Sequence, residues 1–291
     1  MDAGREVLQR EGGLIGSAFG TGVSESAFEY RRRVTARVVA ALGDDHAVEA
    51  LLEGGADARG RADEYSDIDL MVVAPLECAG QLFARTEEAL SEIAPITHVW
   101  SIDPPGYPDM AQRFYFLADA PRFFALDCSV LSAAAVANFL ESERHGEPIV
   151  WLDRRGTIRA RPVDEAELAK RRRHLLEQLR GKVPVYAMLV DKELARGHPL
   201  EALGFYQVLV RALIDLLGMQ HRPERFDFGW RYVERELPED AQALIARHAF
   251  VADAAALAAG RVSVIREIDA LLAALADPAV SASGPGDRPS P

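Results

Sequence analysis

The chain has 291 residues, enough for one large domain or two ordinary ones. With 49% hydrophobic and 27% charged residues it has the composition of a globular protein, not of a fibrous or disordered one. A formal charge of −12 argues against a nucleic-acid groove, which needs a basic footprint, and leaves small molecules as the expected partners.

Cys78 and Cys128 are the only cysteines, so no disulfide framework is implied and a cytoplasmic location is expected. The opening "MDAGREVLQREGG" has no apolar core of signal-peptide length. No membrane association is expected, because no apolar run reaches the ~20 residues that span a bilayer. The histidines are scattered without ligand spacing, which disfavours zinc.

Residues 1–25 are Gly-rich and read as loosely ordered. Ser26 with Glu29 forms a capping box that opens the first helix, and Tyr30, Val34, Val38 and Leu42 recur on one face of it before Gly43. Short apolar segments follow at 47–53, 67–74, 96–102, 112–118, 122–131 and 147–153, with helices expected near 79–93 and 133–144. Strands with few helices between them suggest a mixed sheet.

The texture changes at Asp164, whose capping box with Glu167 opens a long helical half. Pro184 suits the first turn of a new helix, Pro199 starts another, and Gly218 reads as its stop. Further helices are expected at about 227–236, 239–248 and 251–275. The expected class is therefore α+β: a mixed-sheet domain over 26–153, an all-α helical bundle over 164–276, and a Pro/Gly-rich tail over 277–291.

The informative stretch is "LLEGGADARGRADEYSDIDLMVVAP" (51–75). Side chains in a strand alternate faces, so Asp67 and Asp69 point one way while Ile68, Leu70 and Val72 point the other. Carboxylates at i and i+2 sit roughly 7 Å apart at their backbones, within reach of one cation. Without one they repel, whereas Mg²⁺ accepts one or two carboxylates together with substrate phosphates. "FFALDCSVL" repeats the parity break: Leu126, Cys128 and Val130 form an apolar face and Asp127 lies opposite. A shared metal site is the cheapest common explanation of all three acids; an ion pair of Asp127 with Arg113 or Arg122 is the alternative. Gly54 and Gly55 end the first strand and let backbone N–H groups approach a phosphate, and Arg59 and Ser66 lie in the loop that follows.

These residues resemble the nucleotidyltransferase superfamily that includes DNA polymerase beta. Its signature is a Gly-Gly or Gly-Ser pair, a loop, Asp-x-Asp on a strand, and a third acid on a later strand. Here that is Gly54-Gly55, 11 intervening residues, Asp67-Ile68-Asp69, and Asp127. The stretch "GGADARGRADEYSDIDL" is similar to that of antibiotic (aminoglycoside and lincosamide) nucleotidyltransferases, which carry a small catalytic domain followed by a helical bundle. The motif covers 51–131, and Ala56 departs from the serine often found after the glycine pair.

The resemblance implies that Asp67 and Asp69 hold Mg²⁺ against the triphosphate of ATP, and that Asp127 is a metal ligand, a general base, or both. It implies transfer of AMP to a hydroxyl of a small-molecule acceptor held between the two domains, with Gly54, Gly55, Ser66 and Arg59 near the nucleotide. Adenylylation of a partner protein and a nucleotide-binding module without turnover are the alternatives. Ser66 reads equally well as a turn cap, His98 as a buried core histidine, and Tyr206 and Trp230 as either bundle core or acceptor wall.

Overall fold

A computed structural model describes residues 25–276, so the readings of the first 24 residues and of the tail at 277–291 lie outside the described residues. Contacts divide the chain into two units, Met1–Pro162 and Val163–Pro291.

The first unit is built on a six-stranded sheet of order β3-β4-β5-β2-β1-β6. The strands are β1 (Ala50–Glu53), β2 (Ile68–Val73), β3 (Ile96–Ser101), β4 (Met110–Leu117), β5 (Leu126–Leu131) and β6 (Ile149–Asp153). β2 and β5 run parallel at the centre, and every other pairing is antiparallel. Helices α1 (Ala27–Gly43) and α2 (Ala79–Ser91) share a core with one face of the sheet. α1 begins where expected: the Ser26 hydroxyl accepts the Glu29 N–H, and the Glu29 carboxylate accepts the Ser26 N–H. Its stripe of Tyr30, Val34, Val38 and Leu42 packs with Leu51, Ile68, Leu70, Val72, Leu126, Cys128 and Val130. On β2 and β5 these residues alternate with the acids, so the alternation visible in the sequence is the alternation of the sheet.

The opposite face has a smaller core. Ala50, Val73, Leu131 and Met110 form one row across β1, β2, β5 and β4, covered by Ala135, Val136 and Leu140. The covering segment differs from the helix expected at 133–144. It is a 3₁₀ turn at Ala135–Phe139 followed by the four-residue helix α3 (Ser142–His145). Arg161 explains the break: its N–H donates to the Leu140 carbonyl and its carbonyl accepts the Ser142 N–H, which pulls the chain into an extended bridge there.

The second unit is helical, with α4 (Glu165–Ala195), α5 (Pro199–His221), α6 (Val233–Glu236), α7 (Glu239–Ala249) and α8 (Ala254–Ala274) around one apolar core. Asp164 caps α4 by accepting the Glu167 N–H. Pro184 does not start a helix; it lies inside the 31-residue α4. Leu179, Val183, Ala187 and Val190 stay buried on both sides of the proline, so packing carries the helix past the missing N–H. Gly218 does not stop α5 either. A Cβ there would lie 2.8 Å from the Phe226 carbonyl oxygen, so this glycine permits close packing within a helix that runs on to His221. By length and composition α5 could cross a membrane, but 67% of its apolar window is buried, the pattern of a core helix.

Candidate active site

Register fixes the site. Asp69 on β2 pairs with Asp127 on the parallel β5, and Asp127 pairs with Phe114 on β4. On the other side the Gly54 N–H donates to the Asp69 carbonyl at 2.8 Å, extending the β1–β2 ladder by one residue. One row thus runs Gly54–Asp69–Asp127–Phe114, and directly paired residues share a face. Asp67 lies two residues before Asp69 and on the same side. Further along this face Met71, Ser129 and Gln112 form a belt between the acids and the small apolar core.

Gly55 has φ +59°, and a Cβ there would overlap the Asp69 Oδ2 atom and lie 2.6 Å from its Cγ. The Asp69 carboxylate therefore rests directly on the glycine backbone, in space that any side chain would fill. Gly54 has its N–H committed to the sheet, so donors for a phosphate fall to the amides that follow it.

Burial pushes the Asp69 carboxyl up to about 7, helped by the charges of Asp67, Asp127 and Glu53 and opposed by Arg31. Burial also pushes Asp127 up to about 6; hydrogen bonds from Gln112 and Ser129 oppose the rise, and the charge of Asp67 adds to it. Asp67 acts on both neighbours, so the three acids share one electrostatic site. They do not close on one another: the trio of ligand atoms all within 4.8 Å among the described residues is Glu193, His198 and Glu201 instead. That second group is an ion-pair cluster, since Glu193 already meets Lys192, Arg196 and His198. The like charge of Asp67 raises the pKa of Asp69 and of Asp127, and a hard divalent cation would offset that repulsion. The donor set fits such an ion: oxygen ligands only, with the Asp69 carboxylate lodged in the space that a Gly55 side chain would fill.

Among the described residues, no arginine pairs with Asp127. Arg113 turns to the helix side and bonds Glu87 at 2.8 Å, while Arg122 lies over the Phe123 ring. Gln112 takes the place of an ion pair, its Nε2 lying 2.8 and 2.7 Å from the two Asp127 oxygens. Nothing in the sequence singled out Gln112; the antiparallel pairing of β4 with β5 brings it to Asp127.

Ser66 is placed as a turn cap: its hydroxyl donates to Asp63 Oδ1 at 2.9 Å and accepts the Asp63 N–H at 2.9 Å. The Arg59 guanidinium donates to the carbonyls of Glu143 (3.1 Å) and Arg144 (2.6 Å), which ties the glycine loop to α3. His98 is exposed and not a core histidine; Tyr206 is buried, 3.3 Å from His248 Nδ1; Trp230 is half exposed.

Glu53 is an acid the sequence reading did not single out. It pairs with Leu70, so it faces the helix side, where it is buried and accepts the Trp151 indole N–H at 3.1 Å. Burial raises its pKa. Arg31, bonded to Asp57 of the glycine loop, lies nearby, and a cavity of about 670 Å³ opens between α1 and β6 around Arg31, Glu53 and Trp151. Parity puts this cavity across the sheet from the aspartates.

No family model matches the sequence, and no curated protein matches it. Two solved structures are similar to the chain. One is an aminoglycoside 6-adenyltransferase from Bacillus subtilis, 11% identical, covering 86% of this chain and 92% of that one with a TM-score of 0.30. The other is a STING-associated CdnE c-di-GMP synthase from Capnocytophaga granulosa, 16% identical, covering 90% and 85% with a TM-score of 0.28. Overlap that low carries no argument about chemistry, which rests on the residues above.

Proposed function

We propose that the chain is a Mg²⁺-dependent nucleotidyltransferase that moves AMP from ATP to a hydroxyl of a small molecule and releases pyrophosphate. One observation supports this most: Asp69 and Asp127 occupy one row of adjacent parallel strands, beside a glycine that leaves space for the Asp69 carboxylate. Asp67 and Asp69 would hold the metal, with Asp127 at its edge; when bound, the ion would offset the charge of the acids and of the phosphates.

The chain's own groups would do the rest. Asp127, raised toward neutrality, is poised to accept the proton of an acceptor hydroxyl. Gln112 fixes the direction of that carboxylate by contacting both oxygens. The acceptor oxygen bonds to the α-phosphorus as the bond from that phosphorus to the bridging oxygen breaks, and the electron pair leaves with pyrophosphate. Amides after Gly54 would meet the phosphates, and the protein contributes position and charge, as phosphoryl transfer requires. In this reading Ser66 and Arg59 shape the glycine loop and do not touch the nucleotide.

The test is pyrophosphate release from ATP and Mg²⁺ across a panel of hydroxyl compounds, comparing the protein with Asp67→Ala and identifying AMP adducts by mass spectrometry. Release that depends on an acceptor and is lost in Asp67→Ala is expected. AMP found on a co-expressed protein instead would redirect the reading to protein adenylylation. Tight ATP binding without turnover would favour a nucleotide-binding module, and absence of both sinks the proposal.

A further inference from the structure

The row that carries the acids continues past them. Phe114 pairs with Asp127, and Trp100 on β3 pairs with Phe114, so both rings stand on the face of the aspartates. The two rings are stacked, with centroids 5.5 Å apart and planes 22° apart. Two residues along the same strands, His98 pairs with Phe116, and their rings lie 5.9 Å apart. Trp100 is 56% exposed and His98 is exposed as well. Among the described residues, an exposed tryptophan on an edge strand beside half-buried phenylalanines needs an explanation, because the same strand could have carried polar residues there.

We propose that Trp100 and Phe114 form the acceptor shelf of the site and take a hydroxyl compound bearing a planar aromatic or heteroaromatic ring. This rests on the transfer reading above, since it assigns the acceptor of that reaction. Continuity of register selects the occupant. Neighbouring strands lie roughly 4.8 Å apart, so a ring held by Phe114 and Trp100 sits about 5–10 Å from Asp127. A hydroxyl a few bonds from that ring reaches the carboxylate proposed to take its proton. Because the two rings stack on each other, each keeps one face for a further planar ring, which can join the stack with little demand on its substituents. An aliphatic polyol or aminosugar would gain less from this surface.

The probes are 4-hydroxyphenethyl alcohol and adenosine as planar alcohols, and sorbitol and 2-deoxystreptamine as non-planar ones. Each is titrated by saturation-transfer NMR against the full chain with Mg²⁺ and a saturating nonhydrolysable ATP analogue. Both planar probes are expected to bind, and Trp100→Ala to weaken them by at least about fivefold, the scale of one lost stacking contact. Trp100→Phe should recover most of the binding. Phe250→Ala, at an 85% exposed ring in the helical unit, should change nothing. Planar probes that do not bind, that bind Trp100→Ala equally well, or that bind no better than sorbitol and 2-deoxystreptamine would overturn the shelf. So would a concentration-dependent dimer that Trp100→Ala dissolves in sedimentation, because the face would then be a contact between copies. Failure of the transfer reading is told apart by Asp67→Ala: if neither protein binds Mg²⁺ and ATP while Trp100-dependent ring binding persists, the ring site stands and only its role as acceptor site falls.

Discussion

Gly55 shows how much of the site depends on a missing side chain. Its φ of +59° and the Asp69 carboxylate against it are separate demands, and Gly60, at φ +62° with open space around it, carries only the first. Alanine at either position costs about 1–2 kcal/mol of backbone strain. Only Gly55→Ala also displaces the Asp69 carboxylate, so calorimetric titration with Mn²⁺ should show at least a roughly tenfold loss for Gly55→Ala, while Gly60→Ala binds as the parent does. Equal losses would show that strain, not crowding, governs the loop. Gln112 supplies a second test. Its hydrogen bonds hold the Asp127 pKa down against burial, so Gln112→Leu should raise that pKa further above about 6. The acid limb of the pH–rate profile of pyrophosphate release should then move to higher pH. A role confined to packing would lower the rate and leave the limb where it is.

At the scale of elements, legibility followed the strength of the local pattern. The strands around the acids could be placed because a parity break inside an apolar run has one geometric meaning: β2 and β5 appear at Ile68–Val73 and Leu126–Leu131. That they pair in parallel, and that Asp127 falls opposite Asp69, was not visible, since register is set by contacts distant in sequence. Gln112 and the aromatic row were hidden for the same reason. Local signals misled where tertiary contacts outweighed them: Arg161 unwound the helix expected before α3, Phe226 turned Gly218 from a stop into a packing position, and the buried stripe of α4 overrode Pro184. The last of these is testable. Pro184 is exposed, so Pro184→Ala loses no core contact and restores a donor to the Arg180 carbonyl. The helical unit should gain about 1–3 kcal/mol, read as a higher urea midpoint at unchanged slope. A lower midpoint would mean that the proline shapes the helix for packing.

For the whole molecule, the acids couple folding to pH, and in the proposed reading to a metal. Asp69 and Asp127 stand at about 7 and about 6, against an ordinary aspartate value of 3.8. Each therefore binds a proton more tightly when folded than when unfolded. Their favourable contribution is complete below about pH 3.8 and is lost as pH rises through 6 and 7, so these groups make the metal-free protein progressively less stable over that window. A divalent ion held there would compete with those protons and bind better as they leave. Melting curves with and without Mg²⁺ should accordingly lie close together near pH 5 and separate toward pH 8. At a hundred times its dissociation constant the ion adds about 2.7 kcal/mol to folding. Asp69→Asn removes the most strongly shifted of these carboxyls. The variant should melt higher than the parent at pH 8 without metal, and Mg²⁺ should move it little. Curves that stay parallel from pH 5 to 8, in the parent and the variant alike, would mean that the aspartates carry their charge without strain and that the site has no need of a cation.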